Sequence, residues 1–355
     1  MDKRINTKKN IKKNIKTSRN IINRDINIKI KEIVFEKTVL FVMIMLCTIL
    51  TGCSRTPKDN NIAMYSEKMS IVCTGFSEYD WVMNILGEEA EAYDVTFLLD
   101  SGTDMHSFQP TAEDVTKILD CNLFIYVGGE SDEWVTDILE NADSSDMHII
   151  NLMDILGDSA KTEEIVEGMQ GESDGALDEH VWLSIKNAVL FTEAISDEIC
   201  LMDSGNSTLY KANTDNYISK LLELDEQFNE AAESFGNKPL LVGDRFPFRY
   251  LVEDYNITYY AAFAGCEADA EADFDTVIFL ADKVDECSLD YIFVIDGSDK
   301  SLAQTIIDNT DAKTAEILEL NSIQSVTTDM IESGYSYISI MESNLEVIKT
   351  AFDIS

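Results

Sequence analysis

Histidine is almost missing from this chain: three residues in 355, at positions 106, 148 and 180. Basic side chains are scarce too, once the first 38 residues are set aside. Those carry 12 Lys/Arg against 4 Asp/Glu; the rest of the chain carries 15 against 62, a net −47. Such a surface repels phosphate backbones, which excludes nucleic acid as a partner and favours cations and basic surfaces. No two cysteines form a CxxC pair, so zinc-ribbon and thioredoxin-like readings have no support. Five cysteines follow Cys53 (Cys73, Cys121, Cys200, Cys266 and Cys287), an odd number that argues against a full disulfide framework. Cys73, Cys121 and Cys287 sit in or beside apolar runs, where a small thiol is normally buried; a Cys266–Cys287 bridge stays open. His-Glu-x-x-His and Gly-x-Ser-x-Gly, two common hydrolase signatures, are absent.

What is present begins with a leader. The basic stretch runs into "VLFVMIMLCTIL" at 39–50, too short to span a bilayer comfortably but suited to the hydrophobic region of a secretory signal. It ends in "LTGC", Leu50 to Cys53, which resembles the bacterial lipobox. The resemblance implies a signal peptide with lipobox over 1–53, cleaved just before Cys53, lipidation of Cys53 as the first mature residue, and a cell-membrane, lipid-anchored protein on the extracytoplasmic face. An uncleaved anchor helix is the alternative, and it places the body on the same side. Residues 54–68 are polar and read as a flexible tether.

From residue 69 onward, short apolar runs alternate with amphipathic stretches. "SIVCT", "VTFLL", "NLFIYVG" and "MHIINLM" are each followed or separated by helical patterns, and "KPLLVG", "ITYYAAF", "LDYIFVID" and "AEILEL" form a second set. That alternation predicts an α/β fold of two lobes, each a mostly parallel sheet flanked by helices. Between them, 207–235 holds no Gly or Pro until its end and repeats apolar positions Tyr210, Tyr217, Leu221, Leu224, Phe228 and Ala231 at helical spacing. The expected layout is an N-terminal lobe 69–206, one long connecting helix 207–235 and a C-terminal lobe 236–355, with a ligand cleft between the lobes. Residues 161–179, acidic and Gly-bearing, read as an exposed loop, either solvated or a weak collector of cations.

Ligand sites in parallel sheets lie at the carboxyl ends of strands, which is where His106 falls, in the loop after the second strand. "HSFQPTAEDVTKILDCNLFIYVGG" and "DEHVWLSIKNA", with "LNSIQSV" and "SYISIMESNLEVIK" further on, resemble the solute-binding lipoproteins of zinc and manganese ABC transporters. The resemblance covers nearly all of 69–355. It implies that His106 and His180 are metal ligands, in keeping with the preference of neutral imidazole for zinc over calcium or magnesium. The third family ligand falls on Arg245, which cannot bind a cation; the neighbouring Asp244 is the candidate in its place. The fourth falls on Asn321, a poor zinc ligand, and Glu130 is a speculative substitute. His148 matches no ligand segment and reads as structural or surface. Trp134 and Trp182 read as packing around the site. Glu267 and Glu271 read as outer groups at the cleft or a solvated rim.

The expected function is capture of a divalent transition metal, zinc first and manganese second, outside the membrane. Delivery would be to an ABC permease and its ATPase, by a monomer with no catalytic residues. Two alternatives stand beside it: a metallohydrolase using the same histidines with an open zinc position, and a surface adhesion lipoprotein with a degenerate metal site.

Overall fold

Short strands that are apolar on both faces dictate the architecture. In β1 (Met69–Cys73), Ile71 and Cys73 point into one buried cluster and Val72 into another. In β5 (Leu240–Phe246), Leu240 and Val242 face that same large cluster, while Leu241 faces a separate one. Side chains alternate across a strand, so continuous apolar runs demand cover on both sides, and helices supply it.

The computed structural model describes residues 68–140, 147–171, 175–234, 236, 238–265 and 272–353. The leader, Cys53, Cys266, Glu267 and Glu271 lie outside these residues. Among the described residues no helix is long and apolar enough to cross a membrane.

The first sheet joins β1 to β2 (Tyr93–Phe97), β3 (Leu123–Tyr126) and β4 (His148–Asn151) in the order β2-β1-β3-β4. The second joins β5 to β6 (Tyr259–Ala264), β7 (Tyr291–Ile295) and β8 (Glu316–Leu320) in the order β6-β5-β7-β8. All pairings are parallel, for example Ile71↔Val95, Ile71↔Leu123 and Val242↔Phe293. The two sheets share one plan, with the first strand inside and the chain crossing to either side of it. The helices are α1 (Phe76–Leu86), α2 (Ala112–Leu119), α3 (Glu133–Leu139), α4 (Leu152–Leu156), α5 (Ile185–Met202), α6 (Ser207–Ser234), α7 (Arg249–Asp254), α8 (Phe274–Cys287), α9 (Ser301–Asn309), α10 (Thr328–Glu332) and α11 (Tyr337–Ala351).

The long helix is there as the periodicity predicts. α6 has 28 residues, about 42 Å at 1.5 Å per residue. It buries all six expected positions and also Thr214, whose hydroxyl bonds to Ser196 Oγ at 2.7 Å. Its buried face belongs to one apolar cluster that also takes in Ile71 and Trp81 of the first lobe and Leu240, Tyr250 and Tyr337 of the second. The lobes therefore share a core and are not two bodies on a hinge.

Three local expectations shift. β2 begins at Tyr93 and ends at Phe97, two residues before the end of "VTFLL". Leu98 and Leu99 still donate to Cys73 and Thr74 carbonyls, so they extend the pairing through a turn. The pattern of "HVWLSIKNAVLFTEAISDEICLMD" predicts helix from His180 onward, but Val181–Leu183 form a tight turn, and Ser184, accepting from Asn187 N at 3.0 Å, starts α5 only at Ile185. The described parts of the acidic stretch, 161–171 and 175–179, are partly docked. Gln170 N donates to Ala262 O, Arg249 pairs with Glu164 and bonds to Thr162 O, and Lys161 pairs with Glu253. Its last two carboxylates, Asp178 and Glu179, are 2% and 1% exposed, which rules out a solvated role for them. Cys287 is a free thiol.

Leu221, fully buried on α6, tests the shared core. Leu221→Ala should cost about 2–5 kcal/mol in denaturant melts, as large-to-small core changes do. Unfolding should stay a single transition, whereas separate lobe transitions would contradict a common core.

Candidate metal centre

The loop after β2 turns tightly at Met105–Ser107, because Asp104 Oδ1 accepts from His106 N at 3.0 Å. That bond fixes the backbone from which the His106 ring projects. His180 ends the acidic stretch just before the Val181–Leu183 turn, and Asp178 Oδ1 accepts from its backbone N at 2.9 Å. The C-terminal lobe clamps this segment: Trp182 Nε1 donates to Ser322 O, Tyr337 Oη to Trp182 O, and Tyr250 Oη to Asp178 O.

The two rings meet. His106 Nε2 lies 3.2 Å from His180 Nε2. His180 Nδ1 is 2.9 Å from Asp178 Oδ1, and a carboxylate oxygen only accepts, so Nδ1 carries a proton and Nε2 is the nitrogen turned toward His106. His106 Nδ1 is 2.7 Å from Ser131 Oγ, with Glu179 Oε2 behind at 3.7 Å, so this ring too is held through its Nδ1. Glu179 is itself held by Ser131 N at 2.9 Å. Gly129 makes room for it: at φ +86° a Cβ there would sit 2.3 Å from Glu179 Oε1. The two Nε2 atoms thus face each other in a buried space. Two ligands at 2.0–2.1 Å from a tetrahedral zinc stand about 3.3 Å apart, close to the separation observed. Carboxylate or hydroxyl partners on the other ring nitrogen are the usual support of such ligands.

A third acceptor joins them. Gln324, oriented so that its amide nitrogen donates to Asp104 at 3.1 and 3.3 Å, accepts through its oxygen from His180 Nε2 at 2.9 Å, and an ion replacing that Nε2 proton would find the oxygen as a third donor. It follows Ile323, a β-branched residue at φ +67°, a conformation that costs on the order of 1–3 kcal/mol. Asn321 Oδ1 holds that turn by accepting from Ile323 N at 2.7 Å, and Asp296 Oδ1 accepts from Ser322 N and Oγ at 2.6 and 2.7 Å. Asn321 thus shapes the loop and touches neither ring. Asp244 Oδ1 accepts from Arg245 N at 2.9 Å, and Glu130 is exposed. Neither is among the described groups that contact the imidazoles. Among the described residues no three His, Cys, Asp or Glu side chains gather closely enough to hold a metal ion. Arg245 instead sits beside the pair, its Nη2 bonded to Asp104 Oδ2.

Sequence reasoning missed Gln324, Asp104, Asp178, Glu179 and Ser131. Asp178 was within reach, as the first residue of the quoted "DEH". His148, bonded to Glu198 at 2.7 Å on the surface, stands apart from the site. Trp182 packs its ring 5.4 Å from that of His180, and Trp134 lies against Phe108.

Burial governs the electrostatics. The His106 pKa is lowered from 6.5 to about 3 by desolvation first and then by the neighbouring His180 charge. Burial would raise Asp104, but Arg245 outweighs it and holds the carboxyl below its ordinary range. Burial pushes Glu179 up, and Asp132 up to about 7.

Comparison with known proteins places the chain in a family. Residues 71–351 match the family described as ZnuA, zinc-uptake complex component A, periplasmic. The chain belongs to the ZnuA family. Among its relatives, the zinc-binding lipoprotein AdcA of Streptococcus pneumoniae strain R6 is 27% identical over 322 residues, covering 89% of this chain and 61% of that protein. The high-affinity zinc uptake system protein ZnuA of Bacillus subtilis strain 168 is 25% identical over 313 residues, covering 87% and 96%. The crystal structure of the Zn(II)-bound ZnuA-like domain of S. pneumoniae AdcA superposes with a TM-score of 0.65 at 27% identity, over 81% of this chain and all of that one. The chain spans 57–61% of the length of the streptococcal AdcA relatives it matches. This ZnuA-family chain keeps the two-sheet fold and carries a guanidinium beside its imidazole pair.

The depressed His106 pKa has a measurable sign. The unfolded chain takes up a proton near pH 6.5 that the folded state refuses until about 3, so this group leaves stability unchanged above 6.5 and erodes it as pH falls below. In NMR titrations of the metal-free protein, the His106 ring should stay neutral from pH 8 to pH 5. A midpoint near 6.5 would contradict the burial argument.

Proposed function

We propose that this chain captures a divalent transition metal, zinc before manganese, between His106 Nε2 and His180 Nε2 and passes it to an ABC permease for uptake. The observation that carries the reading is the 3.2 Å approach of the two Nε2 atoms, each ring held through its Nδ1, at about the spacing of two ligands on one zinc. A hydrogen-bonded structural pair would need only one such ring held so firmly. The amide oxygen of Gln324 is the third donor, and it is the feature that keeps manganese in consideration, since oxygen donors suit that ion. Family membership and the zinc-binding relatives support zinc. Asp244, Glu130 and Asn321 have no place in the donor set proposed.

The protein acts outside the cytoplasmic membrane, held by lipid on Cys53, and performs no covalent chemistry. Its shared core limits lobe movement, so release depends on local change at the rings and at the loop that carries Gln324. Binding to a permease that favours the released form would suffice to shift that balance.

Calorimetry on protein lacking residues 1–53 tests this directly. One equivalent of zinc should bind, more tightly than manganese. Loss of even an outer partner of a ligand costs about 10–100-fold in metal affinity, so the double variant His106→Ala/His180→Ala should lose at least about 100-fold. Zinc binding that survives the double variant would refute the assignment.

A further inference from the structure

Arg245 is an odd neighbour for a cation. It projects from β5 into the centre, where Nη2 donates to Asp104 Oδ2, and its charge is one of the influences that depress the His106 pKa. Its other terminal nitrogen, Nη1, is buried and has no hydrogen-bond partner among the described residues. Buried guanidinium donors are normally satisfied, and an unpaired one is costly. The donors facing the ion are also incomplete. His106, His180 and Gln324 supply two imidazole nitrogens and one amide oxygen, all neutral. Zinc prefers four donors, and its charge would stand uncompensated next to a guanidinium.

The carboxylates nearby do not fill the gap. Asp104 is already engaged, Oδ1 by His106 N and Oδ2 by Arg245 and Gln324. Asp178 and Glu179 face the Nδ1 side of the rings, away from the Nε2 atoms. Two deficits thus sit side by side: an open metal position lacking negative charge, and a buried N–H lacking an acceptor.

Resting on the metal-capture reading above, we propose that the ion is bound together with a small carboxylate-type oxyanion. One oxygen binds the metal and another accepts from Arg245 Nη1. An anion of this class matches the donor fork of arginine, which favours planar two-oxygen partners. It also places a negative charge between the ion and the guanidinium. Gly265 packs closely on the His180 ring, where a Cβ would lie 2.8 Å from Cε1, and small anions such as hydrogencarbonate and acetate are the probes of choice. Arg245 thereby acts on the ion through the anion, as a residue that selects the form in which the metal is taken.

The test is zinc calorimetry on metal-free protein in a buffer freed of carbon dioxide and carboxylates, then with millimolar hydrogencarbonate, acetate or chloride. A charge-assisted hydrogen bond predicts that hydrogencarbonate or acetate tightens zinc binding by about tenfold or more and chloride does not. Which of the two anions acts more strongly identifies the source. Arg245→Met should bind zinc equally in all buffers, and Arg245→Lys should show a weakened anion effect. With 13C-labelled hydrogencarbonate or acetate, a bound carbon resonance should appear only when zinc is present. Zinc affinity that is equal across anions in the unaltered protein, or an anion effect undiminished in Arg245→Met, would overturn the oxyanion while leaving metal capture intact. Absence of zinc binding in every buffer would overturn metal capture itself.

Discussion

Everything at the centre depends on keeping two imidazoles close and aimed at one another. Left to themselves, two buried rings would drift into separate contacts or share a proton. Here Asp178 accepts from Nδ1 of one, Ser131 with Glu179 behind it holds Nδ1 of the other, and the two Nε2 atoms are left facing across 3.2 Å. Burial then makes protonation expensive, so the His106 pKa is driven down to about 3 and the ring stays ready for a cation where an exposed histidine would be half charged.

The fold serves that constraint. Parallel sheets deliver loops at one edge, and here both sheets present their carboxyl ends to the same place: His106 after β2, Ser131 after β3, Asp296 after β7 and Gln324 after β8. The core running through α6 joins the lobes, and bonds such as Trp182 Nε1 to Ser322 O tie the His180 segment to the loop bearing Gln324. Strain at Ile323 is tolerated because Asn321 and Asp296 hold the turn on either side. The rigidity needed to hold an ion is thus spread over both lobes, which is why large lobe motion has no place in the account.

Much of this was legible in the sequence, for physical reasons. α6 could be read residue by residue, because a long helix without Gly or Pro repeats its buried positions at a fixed spacing. The two histidines stood out because strand-end loops with single imidazoles are rare in so acidic a chain. The supporting groups were harder. Asp178 and Glu179 sit in a run of carboxylates, and composition cannot say which of them turn inward to meet a ring and which stay in water. Gln324 depends on a left-handed turn at a β-branched residue, a conformation that local preference argues against. Arg245 was visible as a departure from the family pattern, but its partner Asp104 lies 141 positions away and only the fold brings them together.

The most direct test of the central claim is diffraction at the zinc absorption edge from crystals of the zinc-loaded protein. The account predicts one strong anomalous peak between the rings, about 2.0–2.1 Å from each Nε2 atom. A peak elsewhere, for instance on the acidic stretch near Glu163 and Glu164 with neither ring in reach, would contradict it.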